Sequence, residues 1–335
     1  MGLDWLQAVF SEIWTILAGP KTRLWPLYIG LTILICLFLY RRRGIEQGFF
    51  EWLMPKSIYF HASHIVDLKI FAVNRAFAAL GLFNLVFFGA YVADFVSGAL
   101  GPGLGLAPLS PFLISLLLLV VSDFGTYWVH RVHHESRIFW PFHSLHHSAE
   151  VMTPITVFRK HPVYDLISTM VKGLFIGCLQ GIFLAVFSQD PNLMTIVGVN
   201  AGYFLFNMAG SNLRHTHVWL SFGRLIEHVI ISPAQHQIHH SLAPEHHNKN
   251  YGEVLAIWDW MFGSLYVPER EEVLEFGLGD AEGNRIRQRH DSLTNALVVP
   301  MRDSWRQVRK RLGLSPKPAP RAEDVAPAQD VTPAE

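Results

Sequence analysis

Apolar residues in this chain come in runs too long for the helices of an ordinary globular core. Leu24 to Tyr40 is the first, closed by Arg41-Arg42-Arg43. Phe71 to Val96 is the second, with Arg75 near its start and Asp94 near its end. Pro108 to Val129 holds the dense stretch FLISLLLLVV, and Val163 to Phe187 is interrupted by Lys172. Leu193 to Met208 is the weakest, carrying Asn200 and Asn207. Each approaches the roughly 20 helical residues that cross a bilayer core. The pattern therefore predicts an all-α, multi-pass membrane helical bundle with about four or five spanning helices. The fourth and fifth segments, joined around Asp190-Pro191, read as a helical hairpin. Ahead of them Trp5, Leu6, Val9, Phe10, Ile13, Trp14 and Leu17 recur at helical spacing, which predicts an interfacial helix within residues 1–23.

Composition agrees: half of the 335 residues are hydrophobic, only 16% are charged, and mean hydropathy is positive. A formal net charge of zero implies no nucleic acid or other polyanionic partner. Cys36 and Cys178 both sit in apolar runs and offer neither a disulfide framework nor a thiolate metal site. Lysines and arginines cluster after the first, third and fifth segments, while the intervening turns, Ser97 to Ala107 and Ser188 to Asn192, carry none. By the positive-inside rule those clusters are cytoplasmic. Organisation follows as N-terminal membrane helices over 24–112, a central region over 113–268, a C-terminal soluble extension over 269–314 and a disordered Pro/Ala/acid-rich tail over 315–335. Trp258 and Trp260 read as anchors at the membrane interface.

The unusual residue is histidine. There are 18, and 15 of them lie between His130 and His247. At the end of the third segment, helical spacing puts Asp123, Tyr127, His130 and His134 on one face, with His133 to the side and facing the surface. A carboxylate at membrane depth costs about 2.5–3.5 kcal/mol and needs a partner. Asp123 could accept from the second nitrogen of a metal-bound imidazole, or pair with an arginine. His143-Ser-Leu-His146-His147 puts three imidazoles on one helical turn, and His236-Gln-Ile-His239-His240 repeats the pattern. Eight imidazoles exceed one metal's capacity, so the count fits two ions with four or five ligands each. Spacing alone does not choose iron over zinc. It does exclude a zinc protease, since H-E-x-x-H is absent.

The stretches HRVHH, HSLHH, NLRHTH, SPAQHQIHH and NKNYGEVLAIWDWMFGSLYVP resemble the sterol desaturase/fatty acid hydroxylase superfamily of membrane-bound di-iron oxygenases, over about Leu113 to Pro268. The resemblance implies that 113–268 is the catalytic domain, whose histidine-rich helices form a cytoplasmic cap on the bundle. It implies metal ligands at His130, His134, His143, His146, His147, His236, His239 and His240, with a ninth at His215. His217, His246 and Asn250 are further candidates at or beside the metals, and Asp123 and Tyr127 are candidate supporting groups. Asp259 has a possible supporting role, and His161 a structural or substrate-adjacent one. His61, His64, His228 and His290 read as ordinary polar residues.

The implied cofactors are two non-haem iron ions, with O2 as co-substrate. The implied reaction hydroxylates, or desaturates, a C–H bond of a sterol, fatty acyl chain or ether lipid in the bilayer. The sequence has no flavin or nicotinamide fingerprint. Electrons are therefore expected from a separate cytochrome- or ferredoxin-type protein. The implied location is a bacterial inner membrane, or the endoplasmic reticulum membrane in a eukaryote. Two other classes fit less well. A histidine-rich metal transporter needs ligands midway through broken helices, and a haem-binding electron carrier needs axial pairs rather than tight triplets. Because RHTH holds two candidates, His215→Ala and His217→Ala are a paired test. Metal content is expected to fall in the first and hold in the second; equal content in both would remove the preference for His215.

Overall fold

The computed structural model describes residues 14–15, 19, 22–80, 86–101, 109–187 and 204–314. Most of the N-terminal 1–23 segment, most of the fifth apolar segment, the turn at Asp190-Pro191 and the 315–335 tail lie outside the described residues. Among those described there are helices and isolated bridges but no strands. The helices are α1 (Pro26–Arg42), α2 (Phe49–Leu53), α3 (Lys56–Tyr59), α4 (Ala62–Ala79), α5 (Val86–Leu100), α6 (Pro111–Glu135), α7 (Trp140–His147), α8 (Pro162–Phe187), α9 (Pro233–His239), α10 (Ile257–Met261) and α11 (Leu293–Arg311). The first, third and fourth apolar segments correspond to α1, α6 and α8. Within the second, α4 closes at Leu80 with an αR cap, and α5 is described from Val86 onward.

Among the described residues one helix, Pro162–Val186 within α8, is long and apolar enough to cross a membrane by length and composition; Phe88–Leu100 is a shorter apolar helix. Leu34 and Phe38 of α1, Tyr91 and Phe95 of α5, Leu116 of α6 and Leu174 of α8 are all exposed. Apolar surface of this extent on successive helices calls for a nonaqueous surround.

Local rules explain the starts of the elements that matter. Ser110 caps α6 by accepting from the Leu113 amide at 3.3 Å, and Pro111 fits its first turn. Ser232 and Gln235 form a reciprocal capping box at the head of α9, at 3.1 and 3.0 Å. Small residues let α5 and α8 touch: a Cβ at Gly177 would stand 2.5 Å from the Gly89 carbonyl, and one at Gly181 would stand 2.6 Å from that of Ala93. α8 also packs on α6, which brings the base of both helices beneath α7.

Below the helices a single arginine ties the cap together. Arg159 is fully buried and pairs with the equally buried Asp67 of α4 at 2.7 Å. It also donates to the Leu145 carbonyl of α7 (2.8 Å), to Ser148 Oγ (2.8 Å) and to the His290 carbonyl ahead of α11 (3.3 Å). Arg159 and Arg214, expected among the cytoplasmic loop charges, are both buried and hydrogen-bonded within the fold. Asp67→Ala is expected to destabilise by about 3–5 kcal/mol, because Arg159 is then buried uncompensated. Adding Arg159→Met should recover part of that loss. Thermal midpoints of the detergent-solubilised protein check both, and an unchanged midpoint for Asp67→Ala would refute the role of the pair.

Candidate metal centre

The two H-x-x-H-H motifs are short helical turns, α7 and α9, and each sends its rings to two places. His143 and His147, four residues apart, join His130 and His134 of α6 and His239 of α9 in a first group. His236 and His240, again four apart, join His146 of α7 and His215 in a second. Each motif thus gives its outer pair to one group and its middle histidine to the other. His215 reaches its place at the end of a 3-10 turn, Ser211–His215, packed beside α9. The groups adjoin: the His147 and His240 rings are stacked with centroids 4.3 Å apart.

The donor atoms suit a cation. Within each group every ligand nitrogen lies within 4.8 Å of the others. Nε2 of His143 is 2.9 Å from that of His130 and 3.2 Å from that of His147. In the second group, Nε2 of His215 lies 3.1 Å from that of His146 and 3.1 Å from that of His236, and His236 to His240 is 3.3 Å. Imidazole nitrogens about 2.1 Å from a first-row ion stand about 3.0 Å apart at right angles, about 3.4 Å at tetrahedral angles and about 4.2 Å when opposite. Two neutral rings that meet nitrogen to nitrogen have at most one proton between them. Nε2 of His134 and of His239 is buried with no partner at all. A shared cation satisfies these atoms together, and the all-imidazole set suits iron, copper, zinc or nickel.

The loop that carries Asn250 fixes two of the rings through its backbone carbonyls. The Nδ1–H of His130 donates to the Tyr251 carbonyl at 2.7 Å, and that of His239 donates to the Lys249 carbonyl at 2.7 Å. Both Nε2 lone pairs are thereby turned inward. Asn248 and Asn250 adopt left-handed backbone, φ 59° and 56°, a conformation asparagine tolerates better than most residues. Asp259 accepts from the Tyr251 amide (2.8 Å), the Gly252 amide (2.7 Å) and Ser264 Oγ, holding the loop down. Asn250 completes the support, donating to the Gln235 carbonyl and accepting from the Tyr266 amide. No side-chain pattern announces a carbonyl that orients a ring; the asparagine pair at the turn was the available signal.

Other candidates fall elsewhere. Asp123 touches no imidazole and no arginine. It accepts from the Val254 and Leu255 amides and from Trp258 Nε1, each at 3.0 Å, so it anchors the same closing segment from below. Trp258 is correspondingly a tie to α6 rather than a free interface anchor, whereas Trp260 is exposed. Tyr127 meets Ser264 and Arg131 through its hydroxyl and stacks on Phe262, away from both groups. His217 bonds the Trp52 carbonyl at 2.8 Å and joins neither group. His246 lies 3.0 Å from the Glu272 carboxylate and packs on Tyr266. His161 bonds the Leu297 carbonyl of α11 at 2.9 Å. His133 is buried rather than at the surface: its Nδ1–H donates to the Val129 carbonyl at 2.7 Å and its ring meets Tyr164. The α6–α8 contact covers the side of α6 on which it sits.

His236 differs from its neighbours. Arg214 donates to its Nδ1 at 2.8 Å, and a guanidinium has no acceptor to offer in return. In the neutral ring the proton therefore sits on Nε2, and a cation bound there has to displace it. Burial holds His143, His146, His147, His215, His236 and His240 well below the ordinary imidazole range. Burial likewise pushes His239 down to about 4. The rings are consequently neutral near pH 7, the form a metal needs. Unfolded histidines protonate near pH 6.5 while these resist, so stability rises with pH through that window and falls below it, by about 1.4 kcal/mol per pH unit for each ring concerned. The melting midpoint of chelator-treated protein is expected to be level from about pH 7 to 8 and to drop steeply below about 6.5. A midpoint insensitive to acid there would contradict burial of neutral rings.

Residues 115–264 match the fatty acid hydroxylase family. The chain is 34% identical over 169 residues to alkylglycerol monooxygenase of Xenopus tropicalis, covering 50% of this chain and 33% of that protein. It is 31% identical over 163 residues to ornithine lipid hydroxylase OlsE of Rhizobium tropici, covering 49% of this chain and 45% of that protein. It is 27% identical over 183 residues to the Delta(7)-sterol 5(6)-desaturase ERG3B of Gibberella zeae, covering 52% of this chain and 51% of that protein. The chain thus spans from a third to about half of the length of these curated relatives. No solved structure matches it significantly. All nine imidazoles of the two groups lie within the matched residues, so both groups fall in the part of the chain that is similar to the fatty acid hydroxylase family.

Proposed function

We propose that the chain is a membrane-bound, metal-dependent oxygenase that uses O2 and external electrons to hydroxylate a lipid C–H bond, with desaturation as the alternative outcome. The observation that carries this reading is the pair of adjoining, buried, all-imidazole cages within the family domain. His130, His134, His143, His147 and His239 would hold one iron, and His146, His215, His236 and His240 the other. When bound, such a pair supplies O2 reduction and the hydrogen abstraction that an unactivated C–H bond demands.

The chain's own residues do the rest. Tyr251 and Lys249 aim His130 and His239 through their carbonyls. Asp123 and Asp259 hold that loop rigid, and rigidity of supporting groups is what keeps a site within working tolerance. A pocket bordered by Thr126 of α6 and Tyr164 of α8 meets rings of both cages, giving a lipid that enters between those helices a route to the metals. A second cavity is bordered by His134, His147 and His239 together with Leu278 and Gly279. Named activities of the relatives, on alkylglycerol, ornithine lipid and a sterol, favour a lipid substrate. Cages at helix ends, rather than midway along broken helices, argue against a transporter. We further propose a multi-pass topology with the cages on the cytoplasmic side and electrons delivered there by a separate carrier.

Elemental analysis of the purified chain is expected to give two irons. His147→Ala and His240→Ala should each lower that content, and cells carrying either variant should lose an oxygen-dependent lipid product seen with the intact protein. One ion per chain, or identical lipid profiles with and without the protein, would overturn the assignment.

A further inference from the structure

The pocket between the two cages and the membrane helices carries charge that the cages do not use. Arg23, Lys160 and Arg214 line it, against one carboxylate, Glu253. Arg23 Nη2 takes that carboxylate at 2.9 Å, yet its Nη1 is buried with no hydrogen-bond partner among the described residues. Arg214 is occupied by the Glu253 carbonyl and by His236. Lys160 is held by its own backbone, whose carbonyl accepts from Asn74 at 3.0 Å. Its ammonium lies 5.6 Å from the centre of the Tyr164 ring, in the field of Asp165 and of Glu253 but with no ion pair within 4 Å and no hydrogen bond among the described residues. Tyr164 in turn stacks on His143 of the first cage, centroids 4.9 Å apart. Unspent cationic donors thus stand one ring away from a cage that is itself built for a cation. Like charges gathered out of water are costly unless an anion joins them.

We propose that this pocket binds the anionic group of the lipid substrate, a phosphate or carboxylate, through Lys160 and the free edge of Arg23. The consequence is positional. The anion sits beside His143, so the oxidised carbon lies within a few bonds of the polar end, not far down the tail. This rests on the oxygenase reading for the identity of the ligand as substrate. Binding is measured without turnover, so failure here leaves the metal count and the lipid profiles untouched.

The test uses the iron-loaded chain in nonionic detergent under nitrogen, with thermal midpoint and equilibrium binding as readouts. The probes are 1-oleoyl lysophosphatidate, oleate, neutral monoolein and inorganic phosphate. Lysophosphatidate and oleate are expected to stabilise, and monoolein and inorganic phosphate are not. Lys160→Gln and Arg23→Gln should each weaken lysophosphatidate binding by about tenfold or more, the loss expected for one charge-assisted hydrogen bond, while Lys160→Arg retains it. Equal stabilisation by monoolein would overturn the anion site, and equal stabilisation by inorganic phosphate would overturn its assignment to a lipid. Unchanged affinity in both glutamine variants would remove the named residues from it.

Discussion

Nine neutral imidazoles pressed together out of water are the constraint around which this protein is built. Each ring has one lone pair and one N–H to satisfy, and burial removes water as the partner. Where a backbone carbonyl takes the N–H, as at His130 and His239, the lone pair has nowhere to go except a shared centre. Nitrogens that face one another at 2.9–3.3 Å cannot all be hydrogen-bonded pairs. The arrangement is therefore frustrated by itself and relieved by cations, which couples metal binding to folding.

That frustration explains how much of the cap is devoted to rigidity. Two carboxylates, Asp123 and Asp259, are spent on backbone amides of one segment, Tyr251 to Leu255, rather than on the rings. Arg159, fully buried, joins α4, α7 and the approach to α11 in a single network. The cages are thus braced from three sides: the α6–α8 pair, the Arg159 network and the closing loop. A cage that holds a cation without rearranging benefits from each.

Charge is distributed with the same logic. Among the described residues no carboxylate joins either cage, so metals bound there would keep their positive charge. Cations instead line the membrane-facing pocket, where they add to that field rather than cancelling it. On the proposed oxygenase reading, these cations would draw an anionic group toward the cages, and the position of that polar end would dictate which carbon is within reach.

The clustering of imidazoles was legible in the chain. The spacing of His130 with His134, and of the two H-x-x-H-H turns, requires i, i+4 pairs on helix faces, and helical geometry leaves them little choice of direction. His215 was legible too, through its resemblance to the family pattern. The apolar runs likewise placed α1, α6 and α8, but they did not mark the cap at Leu80 that closes α4, because apolar composition does not show where a helix caps. Which ring belongs to which cage was decided only by tertiary structure. So were the burial of His133, the turning of Asp123 to the 254–258 segment, and the use of the Lys249 and Tyr251 carbonyls to aim two ligands. These depend on backbone groups and on contacts between residues more than a hundred positions apart, and every residue has the same backbone, so no pattern of side chains along the chain can encode them visibly.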